Sequence, residues 1–206
     1  MVVAVSATTL VSFVDAVVLG AGWLFTAGLV VRLRCRLHTD GLTGLANRDG
    51  LIQVFKRACR SHAAAVGVLL LDLDKFKQIN DQHGHAAGNI VLRHVAAQLG
   101  AVIKRGELAV RLHGDEYVVL LGRLPIGQAG MQAADERAAT VAAAVACPVV
   151  IDGALVRVSA SVGVAVCARA HADLSGLLRA ADQRMYARKR ATAATGHAVG
   201  ADGGGR

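Results

Sequence analysis

Aromatic side chains are scarce in this 206-residue chain, with one Trp, two Tyr and four Phe, and they are not interleaved with basic residues. That removes the stacking platform single-stranded nucleic acid needs, and no nucleic-acid-binding motif replaces it. Cysteine is sparse too. Cys35, Cys59, Cys147 and Cys167 lie far apart with no CxxC spacing, which suggests neither a zinc site nor a disulfide framework and suits small core or surface residues in a reducing compartment. What abounds is apolar, 54% of residues with much of it alanine and valine, enough for one domain with a sizeable core plus an appendage.

Charge is missing from the start of the chain. Between Val2 and Val31 the only charged side chain is Asp15, and Ser12 to Val31 would run about 30 Å as a helix, roughly one hydrocarbon core. The expectation is a single transmembrane helix within an N-terminal anchor, residues 1–31, in preference to a buried or interfacial helix. Arg32, Arg34, Arg36 and His38 come directly after the apolar stretch. A signal peptide therefore fits poorly, and the positive-inside rule places the C-terminal domain on the cytoplasmic side of an inner membrane. A basic connector, 32–39, leads into the main domain, 40–190; the alanine- and glycine-rich remainder, 191–206, reads as a disordered tail. The net charge of +8 gathers in the connector arginines and the last helix, where anionic lipid and bound phosphates account for it.

Two acidic clusters stand out in the main domain. Leu108–Val110 and Tyr117–Leu121 read as strands joined by a tight turn that carries Asp115 and Glu116 at its tip. A metal ion would offset that concentrated charge; a solvated acidic turn is the plainer alternative. Val66–Leu71, apolar except for Gly67, reads as a buried strand delivering Asp72 and Asp74 at its C-terminal end, pointing the same way in an extended chain. Carboxylates converging from two neighbouring strands are how two-metal phosphoryl- and nucleotidyl-transfer sites are built.

Five motifs in order, Asp40-Gly-Leu-Thr-Gly-Leu-Ala-Asn-Arg48, Asp72-Leu-Asp-Lys-Phe-Lys-Gln-Ile-Asn-Asp81 with Gly84-His85 and Gly88, His113-Gly-Asp-Glu-Tyr117, Ser161-Val-Gly-Val-Ala165, and Ala181-Asp182 with Met185-Tyr186, resemble the GGDEF family of diguanylate cyclases. The likeness covers about residues 39–190. It implies an α+β, nucleotidyl-cyclase-like palm, a mainly antiparallel central sheet flanked by helices, and a homodimer that joins two GTP into cyclic di-GMP with release of two pyrophosphates. It assigns Asp72, the Leu73 carbonyl, Asp115 and Glu116 to two Mg²⁺ ions, with Mn²⁺ as an alternative metal. Asp115 and Glu116 are its catalytic pair, and Phe76, Asn80, Asn89 and Lys189 its substrate-binding positions.

Several residues depart from the family pattern. Asn89 stands where aspartate is usual, which meets only part of the guanine edge and opens the way to relaxed base choice. His113 replaces the first glycine, a cost if the position needs positive φ; it reads as an exposed turn histidine more readily than as a ligand. Tyr117 replaces phenylalanine, a mild change if its hydroxyl finds a partner. Lys104-Arg105-Gly106-Glu107 occupies the window of the family's RxxD product site, where lysine lacks a bidentate fork and a plain solvated helix end explains it equally well. Ala193 stands where an arginine is usual. Arg184 and Arg188 read as a solvated helix face, with Arg188 or Arg190 as candidates to replace the missing cation. These departures also support an alternative, a degenerate domain that binds nucleotide or protein without turnover.

The remaining elements are read as helices over about 47–62, 86–104, 128–146 and 173–190, a short helix or turn over 75–81, and a hairpin around Asp152-Gly153 whose second arm, Leu155–Val166, continues as a central strand.

Overall fold

A computed structural model describes residue 19 and residues 21–30, 37–60 and 64–198, the last eight by backbone only. The chain forms two compact units, 1–38 and 39–206. In the first, residues 21–30 are helical, with Trp23, Leu24 and Phe25 exposed. Among the described residues no helix is long and apolar enough to cross a membrane; much of the expected span, 12–31, lies outside them.

The second unit begins with α1, Arg48–Cys59. Asn47 caps it by accepting from the Gly50 amide at 3.0 Å, and Leu51 and Phe55 are buried one turn apart. The strand β1, Ala65–Leu73, is buried at every position except Asp72. It lies between two neighbours under helices on both faces, hence its unbroken apolar run. Next comes α2, Phe76–Val102, which breaks at Gly84 (φ 79°, ψ 164°) and so contains both helical stretches expected on either side of that glycine. The hairpin β2, Glu107–His113, and β3, Glu116–Leu124, leads to α3, Gln128–Val145. A small separate hairpin, β4 (Val149–Ile151) and β5 (Ala154–Val156), turns on Asp152 and Gly153, both at positive φ as a DG turn requires. β6, Ala160–Ala168, and α4, Leu174–Ala198, complete the unit.

The main sheet runs β2-β3-β1-β6, with every pairing antiparallel. Alternate residues of β1 feed two cores. Leu69, Leu71 and Leu73 pack with Val91, Val95 and Leu99 of α2 and Val141 of α3; Val66, Val68 and Leu70 pack with Leu51 and Phe55 of α1 and Leu177 and Met185 of α4.

Four details correct the sequence-based expectations. Leu155–Val166 is two strands, interrupted at 157–159 where Val158 turns into the core. β6 is an edge strand, because β1 and β3 take the centre. Its free carbonyls explain the third: Arg184 and Arg188 of α4, exposed as a solvated face would be, also donate to Val164 and Val162 oxygens at 2.8 and 3.1 Å and so cap a sheet edge. Finally, α4 continues through Ala198, past the expected end at Arg190, because alanine is the best helix former and an existing helix needs no new nucleus.

Candidate active site

The β2–β3 turn puts Gly114 at φ 50°, a left-handed setting that a side chain would strain. His113 does not share it, so histidine in place of glycine carries no such penalty; its exposed ring sets Nε2 3.3 Å from Glu116 Oε2. Arg111 fastens the turn. Its Nε and Nη2 donate to the Gly114 carbonyl at 2.9 and 2.8 Å, and Nη1 donates to the Asp40 carboxylate at 3.1 and 3.3 Å. Asp40 also accepts from the Thr43 amide and hydroxyl. Burial raises the Asp40 carboxyl, but the Thr43 bonds and the Arg111 guanidinium outweigh it and hold it below the ordinary value. Sequence reasoning assigned no role to Arg111 or to the Asp40 carboxylate, because a bond across 71 residues leaves no local signal.

The second acid arrives on β1. Asp72 stands opposite Glu116 in the β1–β3 register and opposite Ser161 in the β1–β6 register. Beside it, the Leu73 amide donates to the Asp115 carbonyl at 3.3 Å. The two acidic clusters therefore meet. Opposed carboxylates repel, and Lys189 of α4 relieves the charge by donating from Nζ to Asp72 Oδ2. Asp74 serves the scaffold instead, since the Ser159 and Ser161 hydroxyls each donate to it at 2.7 Å and tie the end of β1 to β6.

Next to this pair opens a cleft of about 1060 Å³, lined among others by Asp72, Leu73, Lys75, Arg157 and Lys189. Lys75 precedes α2 in a left-handed conformation (φ 58°) and gives it no side-chain cap, leaving the helix start in the condition that suits an anion. Phe76 and Asn80 pack where the second half of α2 passes: a Cβ on Gly88 would stand 2.0 Å from Asn80 Oδ1 and 3.2 Å from Phe76 Cζ. The adjoining Asn89 is exposed. Among the described residues no three His, Cys, Asp or Glu side chains gather into a metal cage. Two opposed carboxylates beside a strand-end carbonyl nonetheless form a hard-oxygen set that suits a small divalent cation completing its shell with phosphate oxygens and water.

Two other expectations resolve away from the cleft. Tyr117 is fully buried and its hydroxyl donates to the Leu92 carbonyl at 3.0 Å. Glu107 is held by Arg137, which donates from Nε and Nη2 at 2.7 and 2.8 Å, and by the Lys104 amide at 2.8 Å. Its carboxylate closes an internal clasp, while the Lys104 side chain is exposed, as at a solvated helix end.

Residues 37–195 match the family described as diguanylate cyclase, GGDEF domain. The chain belongs to the GGDEF family. Diguanylate cyclase TpbB of Pseudomonas aeruginosa is 38% identical over 157 residues, 74% of this chain and 35% of TpbB. The solved GGDEF domain of TpbB matches with a TM-score of 0.63, covering 74% of this chain and 89% of that one. Cyclic di-GMP phosphodiesterase PdeR of Escherichia coli is 34% identical over 160 residues, 77% of this chain and 23% of PdeR. This GGDEF chain thus spans about a third or less of these curated relatives.

Proposed function

We propose that this protein is a diguanylate cyclase that condenses two GTP into cyclic di-GMP and two pyrophosphates, working as a homodimer with one GTP on each chain. The observation that supports it most is the register pairing of Asp72 with Glu116 beside a cleft lined by lysine and arginine.

In this reading Asp72, Glu116 and the Leu73 carbonyl, with Asp115 adjoining, hold two divalent cations of the Mg²⁺ type. Bound there, such ions lower the pKa of the attacking ribose 3′-hydroxyl and neutralise the α-phosphate and the leaving pyrophosphate. The chain's own residues do the positioning. The uncapped start of α2 receives phosphate oxygens on its amides, and Lys189, which lines the cleft beside Asp72, offers its ammonium to the phosphates. Asn80 and Asn89 read the purine, with Phe76 packed beside Asn80. Arg111, bonded to the Gly114 carbonyl, keeps the turn of Asp115 and Glu116 in one conformation. The N-terminal unit anchors the protein to an inner membrane, with the GGDEF domain cytoplasmic, and raises the effective concentration for pairing.

The decisive measurement is turnover by the purified chain with Mg²⁺ and GTP, ATP or both, products separated by chromatography. Cyclic di-GMP is expected, and Glu116→Gln should lower the rate by roughly 10²-fold or more, about 3 kcal/mol of barrier. Mixed adenine and guanine dinucleotides would trace to Asn89. A folded protein that binds GTP yet forms no product would overturn the cyclase and leave a binding module, the reading favoured by the Lys189–Asp72 pair, which occupies a ligand position.

A further inference from the structure

Four basic residues line the cleft, Lys75, Arg157, Arg188 and Lys189, and the structure shows how two of them are employed. Arg188 donates to Asp135 at 2.8 Å and to the Val162 carbonyl at 3.1 Å, and Lys189 pairs with Asp72. Among the described residues, no carboxylate pairs with Lys75 or Arg157. They line the cleft from two different segments, Lys75 at the start of α2 and Arg157 between β5 and β6.

Arg157 is also held in place by its neighbours. Val158 is 3% exposed and anchored in the core. Ser159 is bonded to Asp74 twice, its hydroxyl donating to the carboxylate at 2.7 Å and its carbonyl accepting the Asp74 amide at 2.9 Å. The guanidinium therefore projects from backbone pinned to the end of the strand that carries Asp72. A guanidinium offers a planar fork of donors matched to phosphate, and one mounted on an ordered segment loses less freedom on binding.

We infer that Arg157 is a substrate-positioning residue that grips the polyphosphate of the bound nucleoside triphosphate from the segment between β5 and β6. This rests on the nucleotide-binding reading above and assigns it a residue whose identity no motif signalled. A contact made to the β- and γ-phosphates has a definite signature: it strengthens binding of a triphosphate and leaves a monophosphate nearly untouched.

The experiment measures binding of α,β-methylene GTP and of GMP to the full chain with Mg²⁺ in excess, for the natural protein, Arg157→Ala and Arg157→Lys. Thermal melting checks that the exposed substitutions leave the fold intact. Arg157→Ala is expected to weaken the triphosphate analogue about tenfold and GMP less than about twofold, with Arg157→Lys recovering part of the loss. An equal loss for both ligands, or less than about twofold for the triphosphate analogue, would overturn the assignment while leaving the nucleotide site standing. If the natural protein binds neither ligand, the nucleotide-binding reading fails and Arg157 falls with it.

Discussion

At the scale of single residues, burial and one hydrogen bond decide what a substitution means. Tyr117 is fully buried, and the hydroxyl it adds to the phenylalanine of the family pattern donates to the Leu92 carbonyl on α2. Burial pushes the phenol far above its ordinary pKa, so it remains a neutral donor across the working range. Tyr117→Phe keeps the ring and deletes one net hydrogen bond, an expected loss of about 1 kcal/mol, or roughly 2–4 °C in melting temperature. Calorimetry measures this directly; an unchanged melting temperature would mean that the bond contributes nothing. Sequence alone leaves the hydroxyl's partner open, since Leu92 lies 25 residues away.

At the scale of elements, the contact of α4 with β6 sets the position of Lys189. Gly163 permits it: a Cβ there would stand 2.0 Å from the Ala181 carbonyl oxygen, a collision with backbone that no rotamer relieves. Gly163→Ala should therefore push the helix from the sheet and cost about 1–3 kcal/mol, read as a lower urea midpoint with an unchanged slope. Because Lys189 rides on the displaced helix while Asp72 stays on β1, the turnover proposed for this site should fall as well. A variant of undiminished stability would show that α4 moves freely over β6. The Ser-Val-Gly-Val-Ala motif was visible in the chain, but its edge position was not. An apolar run signals burial, and here α3 and α4 bury β6 without a strand on its outer side.

At the scale of the whole molecule, ion pairs between distant segments tie the domain to pH. Burial raises the Glu107 carboxyl, yet its bonds from Arg137 and the Lys104 amide, with the nearby positive charges, more than reverse this and hold it below its ordinary 4.5; Asp40 likewise lies below 3.8. A carboxyl with a depressed folded pKa contributes stability that is complete above its unfolded value and is lost as pH falls through the folded one. Melting temperature should therefore drop on acidification below about pH 4.5, as these carboxyls take up protons. Glu107→Gln strands Arg137, only 7% exposed, without its counter-ion. It should cost about 3 kcal/mol near neutrality and flatten the acid limb. Melts of both proteins from about pH 7 to about pH 3 separate these effects, and parallel curves would exclude the clasp as an acid-sensitive element.

The amino-acid sequence by itself determined the elements and the chemistry of the acids. Period and turn residues mark β1, the β2–β3 hairpin and the DG turn, and five motifs in order carry the GGDEF likeness. Carboxylate, lysine and glycine also keep their chemical character wherever the chain places them. Only the tertiary structure decided who meets whom. It set Asp72 opposite Glu116, gave Asp74 to two serines, paired Glu107 with Arg137, turned Arg184 and Arg188 to a sheet edge, and brought Arg157 to the cleft. Most of these contacts join residues tens of positions apart. Their partners follow from strand register and helix placement, which the packing of two cores on one sheet fixes and no local pattern encodes.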